Sequence, residues 1–265
     1  MATAPGSTGH TPPQTADSAA ALRVRGLVKR YGGLQVLAGI ELDVPAGRTF
    51  GLVGVNGAGK TTLIKCVLDL CGYESGSIEI FGVRASSPLA RKRLLYVPER
   101  FVPPHYLLGR EFIDMMLALS GARPEHGRAA SLLSELELDP DVLNRPVRQF
   151  SKGMTQKLGL GACFLVERDL YLLDEPMSGL DPTSRVAVKS MLRRLDAEGR
   201  TVMFTSHVLS EMEELCASMA LLDRSRIRFH GSPAELCTRY GESDLERAFL
   251  CCIRDRNVEP ARGAA

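Results

Sequence analysis

Short apolar runs separated by polar turns dominate the chain. Leu22-Arg23-Val24-Arg25 and Ile40-Glu41-Leu42-Asp43-Val44 alternate apolar and charged residues, the pattern of half-buried strands. The link between them is too short for a crossover helix, so they are expected to pair antiparallel. Thr49 to Val53, Leu94 to Val97, Leu170 to Leu173, Thr201 to Thr205 and Ala220 to Leu222 are unbroken apolar runs of strand length. Between and after them, Leu63 to Leu70, Thr183 to Glu198 and Leu209 to Cys216 carry helical spacing. This alternation predicts a mainly parallel sheet with helices packed on it. From Glu111 to Leu138 the chain reads as helical, punctuated by Gly121 and Pro124, which suggests a helical insert over roughly residues 100–165. Leu245 to Leu250 reads as a short amphipathic helix near the end of the chain.

Composition changes this picture little. The 265 residues, 45% of them hydrophobic, suit one α/β domain with a smaller subdomain. Residues 1–20, rich in Ala, Thr, Pro, Gly and Ser, read as a disordered tail. Residues 21–240 are then the folded domain, and 241–265 a short helix and tail. A formal net charge of +2 argues against a dedicated nucleic-acid binder, and no such partner is expected. Seven cysteines at scattered positions, without a CxxC spacing, suggest neither a disulfide framework nor a zinc site. No apolar run is long enough to cross a bilayer.

Candidate chemistry begins at Gly54-Val55-Asn56-Gly57-Ala58-Gly59-Lys60-Thr61-Thr62, between a predicted strand and a predicted helix. The stretch fits the phosphate-binding pattern Gly-x-x-x-x-Gly-Lys-Ser/Thr. Glycines let the backbone approach a phosphate, successive N–H groups face the anion, and the following helix adds its positive end. Lys60 supplies a point charge for the β- and γ-phosphates of a nucleotide, and Thr61 a hydroxyl for Mg²⁺. Asp174 and Glu175 end an apolar strand downstream. Asp174 suits a direct or indirect Mg²⁺ role, and Glu175 could polarise an attacking water as general base. An Asp-Glu pair alone would read as a solvated strand end; its position after four apolar residues and a phosphate loop favours function. His207 follows the Thr201 strand, and spacing alone leaves packing and chemistry equally open.

These pieces, in this order, resemble the ATPase subunit of ABC transporters over roughly residues 22–234. Phe150-Ser151-Lys152-Gly153-Met154-Thr155-Gln156 looks like that family's signature, whose usual form begins Leu-Ser-Gly-Gly-Gln. Ser151 and Gly153 are kept, whereas Phe150, Lys152 and Met154 depart from it. The Ser-x-Gly-Met version resembles ATPases of bacterial exporters whose permeases are separate chains. The resemblance implies that Tyr31 stacks on adenine, that Asp181 in Ser178-Gly179-Leu180-Asp181 lies at a dimer contact, and that His207 is the switch histidine. Where the family usually has Gln, this chain has Glu99, an oxygen ligand that adds negative charge beside Asp174 and Glu175.

The implied function is an ATP- and Mg²⁺-dependent motor at the cytoplasmic face of the membrane. It would form a head-to-tail dimer, most simply a homodimer, and drive a multi-span permease. The apolar loop Phe101 to Leu108 either packs the insert or meets that permease, with Tyr106 and Leu107 its expected exposed contacts. Two other classes are a soluble ATPase of the same family acting on ribosomes or DNA, and a metabolic P-loop kinase. The kinase would leave Ser151-Lys152-Gly153 and Ser178 to Asp181 unexplained.

Overall fold

The computed structural model describes residues 20–123 and 126–255, with His126 described by its backbone alone. The expected tail over 1–20 and the end of the chain after 255 therefore lie outside the described residues, as does Pro124; Ala20 already opens the first strand.

Alternation builds the first sheet. Strands β1 (Ala20–Tyr31) and β2 (Leu34–Pro45) pair antiparallel as expected, with Leu22 opposite Val44 and Val24 opposite Leu42 on the buried face. Between them Arg23 faces Asp43, which also receives Arg25 at 2.7 Å, so each strand buries one face and solvates the other.

After β3 (Thr49–Val53) and α1 (Lys60–Val67), β4 (Ser75–Ile80) and β5 (Val83–Arg84) complete this sheet, in the order β2-β1-β4-β5. The four-residue α2 (Pro88–Arg91) leads to β6 (Leu94–Val97). The insert then runs through α3 (Gly109–Leu119) and α4 (His126–Glu135) into α5 (Lys152–Leu165). The last third supplies β7 (Leu170–Asp174), α6 (Pro182–Ala197), β8 (Thr201–Ser206), α7 (Leu209–Leu215) and β9 (Ser218–Asp223). It closes with β10 (Arg226–Gly231), α8 (Pro233–Tyr240) and α9 (Leu245–Arg254).

The second sheet has the order β10-β9-β3-β8-β7-β6, parallel from β9 to β6, with β10 antiparallel at one edge. Every residue of β3, β7 and β8 is buried, because both sheet faces are covered. Side chains sort by strand parity. Tyr171, Leu173, Val202, Phe204, Met219 and Leu221 enter the core shared with the helical insert. Leu170, Leu172, Met203, Ala220 and Leu222 enter the core under α1 and the antiparallel sheet. Each such leucine or phenylalanine contributes roughly 1.5–3 kcal/mol on burial.

The insert closes on small residues of α5. A Cβ at Gly159 would lie 2.6 Å from the Phe101 ring, and one at Gly161 2.6 Å from Leu133. Phe101 also meets Phe112 edge-on at 5.5 Å. In the 101–108 loop, Phe101 and Leu107 therefore pack inward while Tyr106 is 78% exposed. Leu107 departs from its expected exposure because its carbonyl accepts the Val147 N–H at 2.9 Å, which draws the loop onto the insert. Among the described residues, no helix is long and apolar enough to cross a membrane.

Candidate active site

The glycine loop sits between a fully buried strand and a helix start, where backbone space is tight. A Cβ at Gly54 would fall 2.2 Å from the Leu222 carbonyl oxygen on β9. Gly57 (φ 80°) and Gly59 (φ 112°) take left-handed backbone, and Gly59 caps α1. That cap starts the helix at Lys60, three residues earlier than periodicity alone predicts. Gly54→Ala is expected to displace the loop from β9 and abolish ATP binding, measurable by titration with a fluorescent ATP analogue. Unchanged affinity would contradict the close packing.

Lys60 is 8% exposed, and its Nζ donates to the Gly54 carbonyl at 2.7 Å and the Val55 carbonyl at 3.4 Å. Burial lowers its pKa, and the nearby Glu175, Asp174 and Glu99 carboxylates oppose that shift. The ammonium is thus held inside the loop, with negative charge on its far side.

Asp174 is buried at the end of β7, where two hydroxyls satisfy it. Thr61 Oγ1 donates to Oδ2 at 2.8 Å, and Thr205 Oγ1 donates to Oδ1 at 2.6 Å. The Thr205 oxygen also accepts the Glu175 N–H at 2.9 Å. Glu175 itself has φ 49°, a left-handed conformation that non-glycine residues adopt at some cost and that often marks functional sites. Its Oε2 lies 2.9 Å from His207 Nδ1. Glu99 stands across the same cavity, and with Asp174 it reinforces the burial that pushes the Tyr96 phenol up to about 12.

Asn56, Gly57, Gly59, Lys60, Thr61, Thr62, Glu99, Asp174 and Glu175 line this one cavity of about 370 Å³, so three distant segments of sequence meet there. Gly54 lies behind it as the Lys60 acceptor. Tyr31 is half-exposed at the end of β1; the neighbouring Cys71 thiol is the chief influence raising its pKa, and its ring lies 4.7 Å from Lys29 Nζ. Ser151, Gly153 and Asp181 do not line the cavity; they lie at the starts of α5 and α6. Ser151 caps α5 by accepting the Met154 N–H at 3.2 Å. Gly153 faces the Gly179 carbonyl, and Asp181 caps α6, held below the usual carboxylate range by hydrogen bonds from Ser184. Sequence reading missed Thr205, which aligns Asp174 and Glu175 together. A hydroxyl at the carboxyl end of the neighbouring parallel strand was the available signal.

Thr61 and Asp174 offer hard oxygen donors at one point, with Glu99 nearby. Among the described residues, no group of three or more His, Cys, Asp or Glu forms a closed metal site. This donor set suits Mg²⁺ arriving with nucleotide phosphates, since that ion keeps several waters and takes phosphate oxygens as ligands.

A parallel sheet carrying a glycine-lysine-threonine loop opposite a strand-end Asp-Glu pair defines a P-loop nucleoside triphosphatase. Residues 37–178 match the family model described as ABC transporter. An uncharacterized ABC transporter ATP-binding protein of Nostoc sp. is 36% identical over 203 residues, covering 76% of this chain and 61% of that protein. The daunorubicin/doxorubicin resistance ATP-binding protein DrrA of Streptomyces peucetius is 35% identical over 230 residues, covering 85% of this chain and 69% of that protein. A solved structure of the ATP-binding subunit of an ABC transporter superposes with a TM-score of 0.82 at 30% identity, covering 88% of this chain and 99% of that one. The chain belongs to the ABC transporter family and has the fold of its ATPase subunits. It spans less than two thirds of the length of the Nostoc relative.

Proposed function

We propose that this chain is the ATP-hydrolysing motor subunit of an exporter, acting as a head-to-tail pair beneath a separate multi-span permease. The observation that carries this reading is the placement of Ser151 and Gly153. They open α5 outside the cavity formed by Lys60, Asp174 and Glu175. Donors at a helix start suit a γ-phosphate, so the signature of one chain is free to close on the nucleotide of another.

In that pair, the glycine loop and Lys60 hold the β- and γ-phosphates, and the half-exposed Tyr31 ring supports adenine. Thr61 and Asp174, with Glu99 as a further oxygen donor, would hold Mg²⁺, which neutralises phosphate charge. Glu175 takes a proton from the attacking water as its oxygen bonds to the γ-phosphorus and the bond to the ADP oxygen breaks. His207 holds Glu175 at 2.9 Å and points it toward that water. Asp181, which caps α6 and lies 3.8 Å from Lys157 of α5, would meet the partner chain. Loss of γ-phosphate contacts after hydrolysis then opens the pair.

Export is supported by the Ser-x-Gly-Met signature and by the resistance role in the name of DrrA. Affinity purification of the chain from membranes is expected to bring down a multi-span protein that raises its ATPase rate several-fold. Recovery with ribosomes, without a membrane partner, would overturn the transport reading.

A further inference from the structure

Behind His207 lies a buried polar cluster that the chemistry above does not use. Glu211, 2% exposed on α7, receives Arg185 Nη2 at Oε1 and Ser206 Oγ at Oε2, at 2.5 and 2.6 Å. The Ser206 hydroxyl in turn accepts the Val208 N–H at 3.0 Å. One hydroxyl therefore clamps the main chain on both sides of His207, and Glu211 fixes that hydroxyl. The His207 side chain is itself 60% exposed, so its direction depends on this backbone clamp and on Glu175. Arg185 adds a second link. It lies in the first turn of α6, where its N–H donates to the Asp181 carbonyl at 3.0 Å. Arg185, Ser206, His207 and Glu211 share a cavity of about 150 Å³ with Glu175 and the Met177 to Leu180 segment.

Only Glu211 is buried in the Arg185–Glu211 pair, the Arg185 side chain being 37% exposed, and ion pairs at either extreme of burial are weak stabilising devices. The pair's place between the two loops that flank the candidate base therefore points to geometry. We propose that Glu211 is a positioning residue for ATP hydrolysis. Through Ser206 it sets His207 against Glu175, and through Arg185 it ties that setting to the Glu175–Asp181 segment. The inference rests on the reading that Glu175 and His207 act together on ATP.

The test measures kcat and KM for ATP in the full chain carrying Glu211→Gln, Ser206→Ala or His207→Ala, and in the two double variants containing His207→Ala. Ser206→Ala removes the clamp while leaving the Arg185–Glu211 pair, so it reads out the role even where Glu211→Gln folds poorly. Glu211→Gln and Ser206→Ala are each expected to lower kcat about tenfold with KM changed less than about twofold, the size of one lost charged hydrogen bond. In the His207→Ala background neither should lower kcat further, since both act through that ring. A fully additive loss beside an impaired His207→Ala, or a change confined to KM, would overturn the positioning role alone. A His207→Ala chain as active as wild type would overturn the functional reading, and the role of Glu211 with it.

Discussion

Replacing Glu175 with Gln is expected to cut ATP hydrolysis about a thousandfold while ATP still binds. General-base catalysis contributes roughly 10²–10⁴-fold, and an amide of the same shape cannot take the proton. The substitution is otherwise conservative here. The amide oxygen can keep the contact with His207, and the left-handed backbone held by Thr205 is untouched. Removing one of the carboxylates around Lys60 also leaves the cavity less hostile to a polyphosphate. Steady-state hydrolysis and equilibrium ATP binding, measured on the same preparation, separate the two effects. An unchanged rate would remove Glu175 from the chemistry.

Lys60→Ala should act on the other half of the site, weakening ATP binding by about 10- to 100-fold, as expected for a lost hydrogen bond to a charged group. The loss should be larger for ATP than for ADP, because Lys60 is assigned to the β- and γ-phosphates together. Lys60 also bridges the loop through Gly54 and Val55, so the variant loses a tie that holds the loop before nucleotide arrives. Calorimetric titration with both nucleotides checks this. Equal losses for the two would place the ammonium away from the γ-phosphate.

The parts of this molecule that announce themselves in sequence are those whose physics is local. Strand β3 runs over the expected residues, and β7 and β8 extend only one residue beyond them, since a parallel strand covered on both faces is largely apolar. The phosphate loop was legible for the same reason: Gly57 and Gly59 answer to their own left-handed backbone. Strand β10 escaped notice because Arg226-Ile227-Arg228-Phe229-His230 is short and half charged, and only pairing with β9 gives it a place. Helix α8 carried a readable start, Ser232 and Pro233 followed by Glu235, which form a capping box. The supporting residues of the site were the least legible. Thr205 meets Asp174 across 31 positions and Arg185 meets Glu211 across 26, so no short window of sequence contains their geometry. Glu99, an ambiguous departure from the family pattern, takes meaning from its seat in the cavity beside Asp174.

In the proposed pair one chain holds only half of a working site, with Lys60 and Glu175 in the cavity and Ser151 outside it. The measurement that tests this most directly is the solution mass of the Glu175→Gln chain in MgATP and in MgADP, by light scattering. In MgATP the expected mass is twice the 28.8 kDa of one chain, returning to the single mass in MgADP. A single-chain mass in MgATP, with the nucleotide shown to be bound, would contradict it.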